Sequence, residues 1–285
     1  MNKIADVSQS ELLNRSVSID LEVHPEKAQI FALAAVTQDI NGPKLVTTEN
    51  VPAALGSLDA FCTDFDHVIG HNILRHDLPH LAAASPRFAA LARAPIDTLW
   101  LNPLAFPRNP YHHLVKHYQD GRLQTGRVND PEFDARLVFE VLRNQIDAFA
   151  ELNQKSSDAL AAYHYLCCQS PGSGGFDRIF SSVRGMSMPG EEDAKIAIRR
   201  LLDGAACLPA LEATLDRLSD VNVGWPMAYA LSWISVAGGD SVMPPWVRAQ
   251  FHEAARIVRR LRDTDCGDTS CEYCRANNDP KRALK

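Results

Sequence analysis

Strand signals crowd into residues 16–101 of this 285-residue chain and nearly vanish beyond residue 155. That change of periodicity constrains the fold more than any single motif does. VSIDLEVH (16–23) and KAQIFALAAVT (27–37) read as two strands, with Pro25 as the turn signal between them. A short third strand over 44–46 completes an antiparallel meander. Helix follows over 52–63, then a short buried strand, HVIG, over 67–70. Residues 76–93 read as helix in two pieces broken at Pro86, and PIDTLWL (95–101) reads as strand or helix. PEFDARLVFEVLRNQIDAFAELN (131–153) is a long amphipathic helix, with Pro131 at its first position and Asn129 or Asp130 as its cap. Three strands followed by alternating strand and helix predict an α/β domain over residues 1–155. Beyond it, 156–168, 191–203, 208–219, 225–237 and 246–262 each read as helix, with loops at 170–175 and 187–193. The expected organisation is completed by an all-α domain over 156–262 and a cysteine-bearing segment over 263–285.

Two domains also suit the length, at roughly 150 residues per domain. With 46% hydrophobic and 22% charged residues, the chain can bury a sizeable core, which excludes a disordered or fibrous class. The longest apolar run, Ile30–Val36, is strand-sized and far short of the roughly 18 residues of a membrane span. The N-terminus, MNKIADVSQSELL, has no apolar core of a secretory signal. A cytoplasmic protein without a membrane partner is the expectation. Net charge is −6, and it is uneven. From Arg248 onward nine Lys/Arg face six Asp/Glu, so the first 247 residues hold 20 against 29 and a net of −9. An acidic domain beside a basic segment suits a metal site next to a polyanion-binding surface.

Chemistry concentrates in three acidic segments. Asp20 and Glu22 lie two apart on the first strand, so their side chains share a face. Two carboxylates on an apolar strand call for a cationic partner, and a hard divalent ion such as Mg²⁺ or Mn²⁺ is the natural one. GHNILRHDLPHL (70–81) follows a strand; read alone, its Asp77 caps a helix before Pro79, and His71, His76 and His80 are ordinary polar residues. NDPEFDA (129–135) places Asp134 about one turn into the long helix, where a surface acid also gains from the helix dipole.

In that order, SIDLEV, GHNILRHDLPHL, PIDTLWL and NDPEFDA resemble the DEDD (DnaQ-like) 3′–5′ exonucleases of ribonuclease H-like fold, over residues 16–150. The resemblance implies that Asp20, Glu22, Asp77 and Asp134 hold two Mg²⁺ or Mn²⁺ ions and release nucleoside 5′-monophosphates from 3′ ends. Two departures from the family pattern stand out. Four residues separate Asn72 from Asp77, more than the proofreading-type pattern has. The position of the family's general-base histidine, five before the last Asp, holds Asn129, and that of the tyrosine variant, four before, holds Asp130. Asparagine cannot take a proton as imidazole does. Asp130, His112, His113 or His117 is left to supply the base. A catalytically weak or inactive DNA-binding module, or an RNA exonuclease, are the competing expectations.

GHNILRHDLP, PYHHLVKHY, SVMPPWV and CGDTSCEYC further resemble the N-terminal region of bacterial proteins that fuse such an exonuclease to a RecQ-like helicase. That resemblance implies DNA and a RecQ-like helicase, in cis or in trans, as partners. No Walker A motif occurs, because GSGGFD lacks the lysine. A fragment that precedes a helicase is the expectation. Seven cysteines rule out a complete set of internal disulfides. Cys266, Cys271 and Cys274 have the spacing of a zinc site, which needs a fourth ligand. His252, Cys207, Asp265, Asp268 or a residue past the end offers one. In the fusion proteins this stretch is associated with a histidine near position 278, where Asn278 stands. Cys62, Cys167, Cys168 and Cys207 otherwise read as core or surface thiols. Arg256, Arg259 and Arg260 share a helix face that suits phosphate contact as well as it suits solvent. Trp225, Trp233 and Trp246 read as core packing.

Overall fold

A computed structural model describes residues 3–109, 112, 114, 130–236 and 243–277. Helix α1 (Lys3–Asn14) leads into strands β1 (Ser16–Val23), β2 (Ile30–Val36) and β3 (Lys44–Thr47). Helix α2 (Val51–Cys62), strand β4 (His67–Gly70), helix α3 (Asp77–Ala84), a 3₁₀ turn (Pro86–Ala92), strand β5 (Ile96–Asp97) and helix α4 (Thr98–Ala105) follow. The long α5 (Pro131–Lys155) runs into α6 (Ser157–Cys167), α7 (Gly174–Arg184), α8 (Glu191–Leu201), α9 (Leu208–Leu215) and α10 (Gly224–Val236). Then come α11 (Pro245–Gln250), α12 (His252–Arg262) and α13 (Glu272–Asn277). The strands form one mixed sheet in the order β3-β2-β1-β4-β5. β1, β2 and β3 pair antiparallel, whereas β4 and β5 run parallel to β1.

The pleat sorts β1 into two faces. Val17, Ile19 and Leu21 join Leu33, Ala35, Val51, Leu58, Ile73 and Leu81 in a core under α2 and α3. Ser18 lies opposite Val36 and Asp20 opposite Ala34, so they share the other face. On that face Ala34, Val36, Ile69 and Ile96 pack with Ala135, Val138 and Phe149 of α5. The same apolar cluster continues through Leu160, Phe180, Trp233 and Val258, so the helical region lies directly against the sheet domain. Trp225 and Trp233 are buried in it and Trp246 packs at its edge, as core packing requires.

Three helices escape the sequence reading. α1 buries Leu12 and Leu13, and α13 is a short six-residue helix after the cysteine loop. α7 opens with Gly174–Gly175, a pair that reads as loop. Gly175 is there for contact: a Cβ on it would lie 2.5 Å from the Pro95 carbonyl oxygen, so only glycine lets α7 meet the entry to β5. The single helix expected over 246–262 is divided at Phe251, whose backbone (φ −127°, ψ 55°) leaves the helical region. The Phe251 ring is thereby turned onto Trp100 and Tyr229, at 4.8 and 5.0 Å between centroids. PIDTLWL is both alternatives at once, with β5 ending where α4 begins. No helix among the described residues is long and apolar enough to cross a membrane.

Candidate functional site

Asp20 and Glu22 point from β1 toward the first turn of α5, where Asp134 sits. Carboxylate oxygens of these three residues all lie within 4.8 Å of one another. Asp130 caps α5 by accepting a hydrogen bond from the Phe133 N–H (3.1 Å). Glu132 is held by Lys44 of β3 at 2.8 Å and by Arg136 at 2.8 Å. The Lys44 contact ties the start of α5 to the sheet edge, and the Arg136 contact within α5 holds Glu132 in place for it, near where Asp134 stands.

Asp77 lies beside this trio without joining its 4.8 Å grouping. β4 pairs with β1 only from Ser16 to Ser18, which leaves the β1 edge open beyond it. Asp77, 2% exposed at the start of α3, covers that edge and accepts the Leu21 N–H at 2.9 Å. The loop between β4 and α3 is shaped for this. A Cβ on Gly70 would lie 2.8 Å from Cβ of Ile73, so glycine is needed where the chain turns back. Asn72 adopts the left-handed conformation (φ 69°), which asparagine tolerates better than most residues. Fully buried Asp97 clasps the loop from β5. Its Oδ1 accepts the N–H groups of Asn72 (3.0 Å), Leu99 (2.9 Å) and Trp100 (3.3 Å), and its Oδ2 that of Leu74 (3.1 Å). Burial pushes the Asp97 carboxyl up to about 7, against these four donors, which favour the ionised form. Thr98 donates to the Gly70 carbonyl (3.2 Å), and His71 Nδ1 lies 2.9 Å from the Thr98 hydroxyl.

Burial, and after it the crowding of like charges, sets the electrostatics. Burial, then the neighbouring Asp77, Asp134 and Glu22, push Asp20 up to about 9. Glu22 is raised by burial and Asp134 and relieved by His76; Asp134 is raised by burial and Asp130. Asp20, Glu22 and Asp134, three oxygen donors that resist joint ionisation, could be matched by hard divalent cations, which would remove the repulsion. His76, read in the sequence as an ordinary polar residue, is part of this neighbourhood. Its Nδ1 lies 3.5 Å from Asp77 Oδ1, and the carboxylates of Asp77 and Glu22 raise its pKa. Its position directly before Asp77 was the available signal. Asp97 stood in the sequence only within PIDTLWL, one of the segments that carry the resemblance.

The remaining base candidates divide. Asn129, His113 and His117 lie outside the described residues. His112 is buried, and its Nδ1 accepts from Asn102 Nδ2 at 2.9 Å, in a chain that continues to Gln145. Asp130 is engaged as the α5 cap.

A second cluster joins four thiols. Sγ atoms of Cys207, Cys266, Cys271 and Cys274 all lie within 4.8 Å of one another, so these cysteines could hold a metal such as zinc. Of the candidates for a fourth ligand, Cys207 is the one the fold brings to the other three, which replaces its alternative reading as a core thiol. His252 is exposed and lies beside Glu253; Asp265 and Asp268 spend their carboxylates on the N–H groups of Gly267 and Ser270. Asn278 lies outside the described residues. Cys62 and Cys167 are buried thiols, as expected. His164, Cys168 and Asp177 also approach one another, but Arg184 Nη1 donates to His164 Nδ1 at 2.7 Å and brings its own cation there. Arg256, Arg259 and Arg260 are exposed on α12, Arg256 paired with Glu253 at 2.5 Å. No protein-family model, curated protein or solved structure matches the chain.

Proposed function

We propose that this chain is a metal-dependent 3′–5′ exonuclease module of ribonuclease H-like fold, acting on DNA beside a RecQ-like helicase. The observation that carries the reading is the convergence of Asp20, Glu22 and Asp134 within 4.8 Å, with Asp77 on the adjoining strand edge. The sheet order, three antiparallel strands followed by two parallel ones, supports the same fold reading. Asp20, Glu22, Asp77 and Asp134 would hold two Mg²⁺ or Mn²⁺ ions, which supply an activated water and stabilise the leaving 3′-oxygen. The protein's own part is placement. Asp97 and Thr98 hold the loop that delivers Asp77, and Lys44 and Arg136 hold the turn that delivers Asp134. Exposed Arg256, Arg259 and Arg260 add sequence-independent attraction for phosphates.

Digestion of a 5′-labelled single-stranded DNA in Mg²⁺ or Mn²⁺, wild type beside Asp20→Ala, tests this. A ladder shortening from the 3′ end and absent in the variant is the expected result. DNA binding without digestion in either metal would overturn the nuclease reading. It would favour a DNA-holding module instead, the second reading, which Asn129 at the general-base position supports. An RNA strand of the same sequence, run in parallel, separates deoxyribose from ribose preference.

A further inference from the structure

We infer that Cys207, Cys266, Cys271 and Cys274 form a closed, four-thiolate structural zinc site that fastens the cysteine loop and α13 to the start of α9. This inference is independent of the nuclease reading. The first support is metric. A tetrahedral zinc with Zn–S bonds of about 2.3 Å separates its sulfurs by roughly 3.8 Å. Sγ of Cys207 and Cys271 are 3.9 Å apart, and those of Cys266 and Cys274 are 3.6 Å apart. A disulfide, at about 2.05 Å, fits neither pair. A cluster of several irons, each carrying its own thiolate, needs its sulfurs spread more widely than around one ion.

The second support is how little apolar packing fastens this segment among the described residues, beside the Tyr273 hydroxyl's bond to the Arg262 carbonyl. The local apolar cluster consists of buried Cys207, Cys271 and Cys274, with only Ala210, Cys266 and Tyr273 packed against it. No Leu, Ile, Val or Phe belongs to it. Ordering the loop over 263–271 and α13 costs roughly 1–2 kcal/mol of backbone entropy per residue. Four thiols and one tyrosine cannot offset that by burial, whereas metal coordination can.

The third support is the anchor. Cys207 occupies the cap of α9, and Cys271 directly precedes α13. The anchor itself is rigid: the Cys207 N–H donates to the Leu261 carbonyl at 2.7 Å, which locks the α9 cap to the last turn of α12. Only Cys207 comes from outside the local Cys-x4-Cys-x2-Cys run, so it alone converts a loop ligand set into a cross-link.

The test uses the full chain, purified without a metal-affinity tag under reducing conditions and reloaded with zinc. One zinc per chain by elemental analysis is expected in the wild type. Cys207→Ser should bind zinc at least tenfold more weakly, and Cys62→Ser should bind as the wild type does. A folding defect in Cys207→Ser is bypassed by alkylating the wild type with and without chelator and reading each cysteine by mass spectrometry. Zinc should slow Cys207, Cys266, Cys271 and Cys274 together by at least tenfold. No zinc in the reloaded wild type, iron with sulfide in its place, or a Cys207 whose alkylation ignores the chelator would each overturn the inference.

Discussion

On the central strand β1 and on α5 the donors are hard oxygens that repel one another and are partly buried; at the start of α9 they are soft sulfurs, three of them buried. The oxygens are brought together by three separate elements, and each is positioned by contacts that would persist without a ligand: Asp97 to the loop amides, Lys44 to Glu132, Asp77 to Leu21. The sulfurs come mainly from one loop that has little else to hold it. The fold therefore makes the first site, whereas the second site makes its piece of the fold. An open, pre-built oxygen site suits turnover, and a closed sulfur site suits architecture.

The largest expected effect tests whether the two are separable. Asp20→Asn should cut 3′ digestion by roughly 10³-fold or more while zinc stays at one per chain. Cys207→Ser should do the reverse, losing zinc with digestion kept within a few-fold. Loss of both properties in either variant would break the distinction.

Next is the pH dependence of the metal-free protein. Asp20 (about 9), Glu22 and Asp134 all have folded-state values raised above their ordinary ones, so the folded chain binds more protons than the unfolded chain between about pH 4 and pH 9. The stability these groups contribute is full below about pH 4 and is lost as pH rises toward 9. Asp20→Asn should flatten that decline and stabilise the metal-free protein at pH 8 by on the order of 1–3 kcal/mol. Mg²⁺ should raise the wild-type Tm at pH 8 and leave the variant's nearly unchanged. Thermal unfolding across pH, with and without Mg²⁺, reads both effects.

Asp97→Asn should act from behind the site. It replaces an acceptor by an amide nitrogen and leaves buried N–H groups unmatched, at a cost of about 1–3 kcal/mol. Digestion should fall by roughly 10–100-fold, as for other positioning contacts behind metal ligands, with zinc content untouched. The smallest effect is electrostatic. Changing Arg256, Arg259 and Arg260 together to Gln should lower the salt dependence of single-stranded DNA binding by a log–log slope of up to about 2, at about 0.7 per phosphate contact. Tm should stay put, since these side chains are exposed.

Much of this was legible because the informative residues are close in sequence. Strand alternation placed Asp20 and Glu22 on one face, and Pro131 marked the start of the helix that carries Asp134. What escaped depends on distance or on dual use. Cys207 precedes its nearest partner by 59 positions, so it stood in the sequence as one of several candidates for the fourth ligand and only the fold singles it out. Gly175 signals loop by propensity, yet its missing side chain serves helix packing. Phe251 sits in good helical periodicity, and the aromatic cluster of Trp100 and Tyr229 overrides it. His76 was visible as a residue, but only the packing of α3 beside β1 puts it next to Glu22.

The bond from the Leu21 amide to Asp77 has a spectroscopic consequence. Most strand amides report on their neighbouring strand; this one reports on a side chain in the carboxylate centre. Its exchange with solvent deuterium should be slow while Asp77 holds its place and fast in Asp77→Ala. Its nitrogen and proton frequencies should move when cations are titrated in. One backbone resonance thus offers a substrate-free view of the centre's occupancy, readable without any assay of activity.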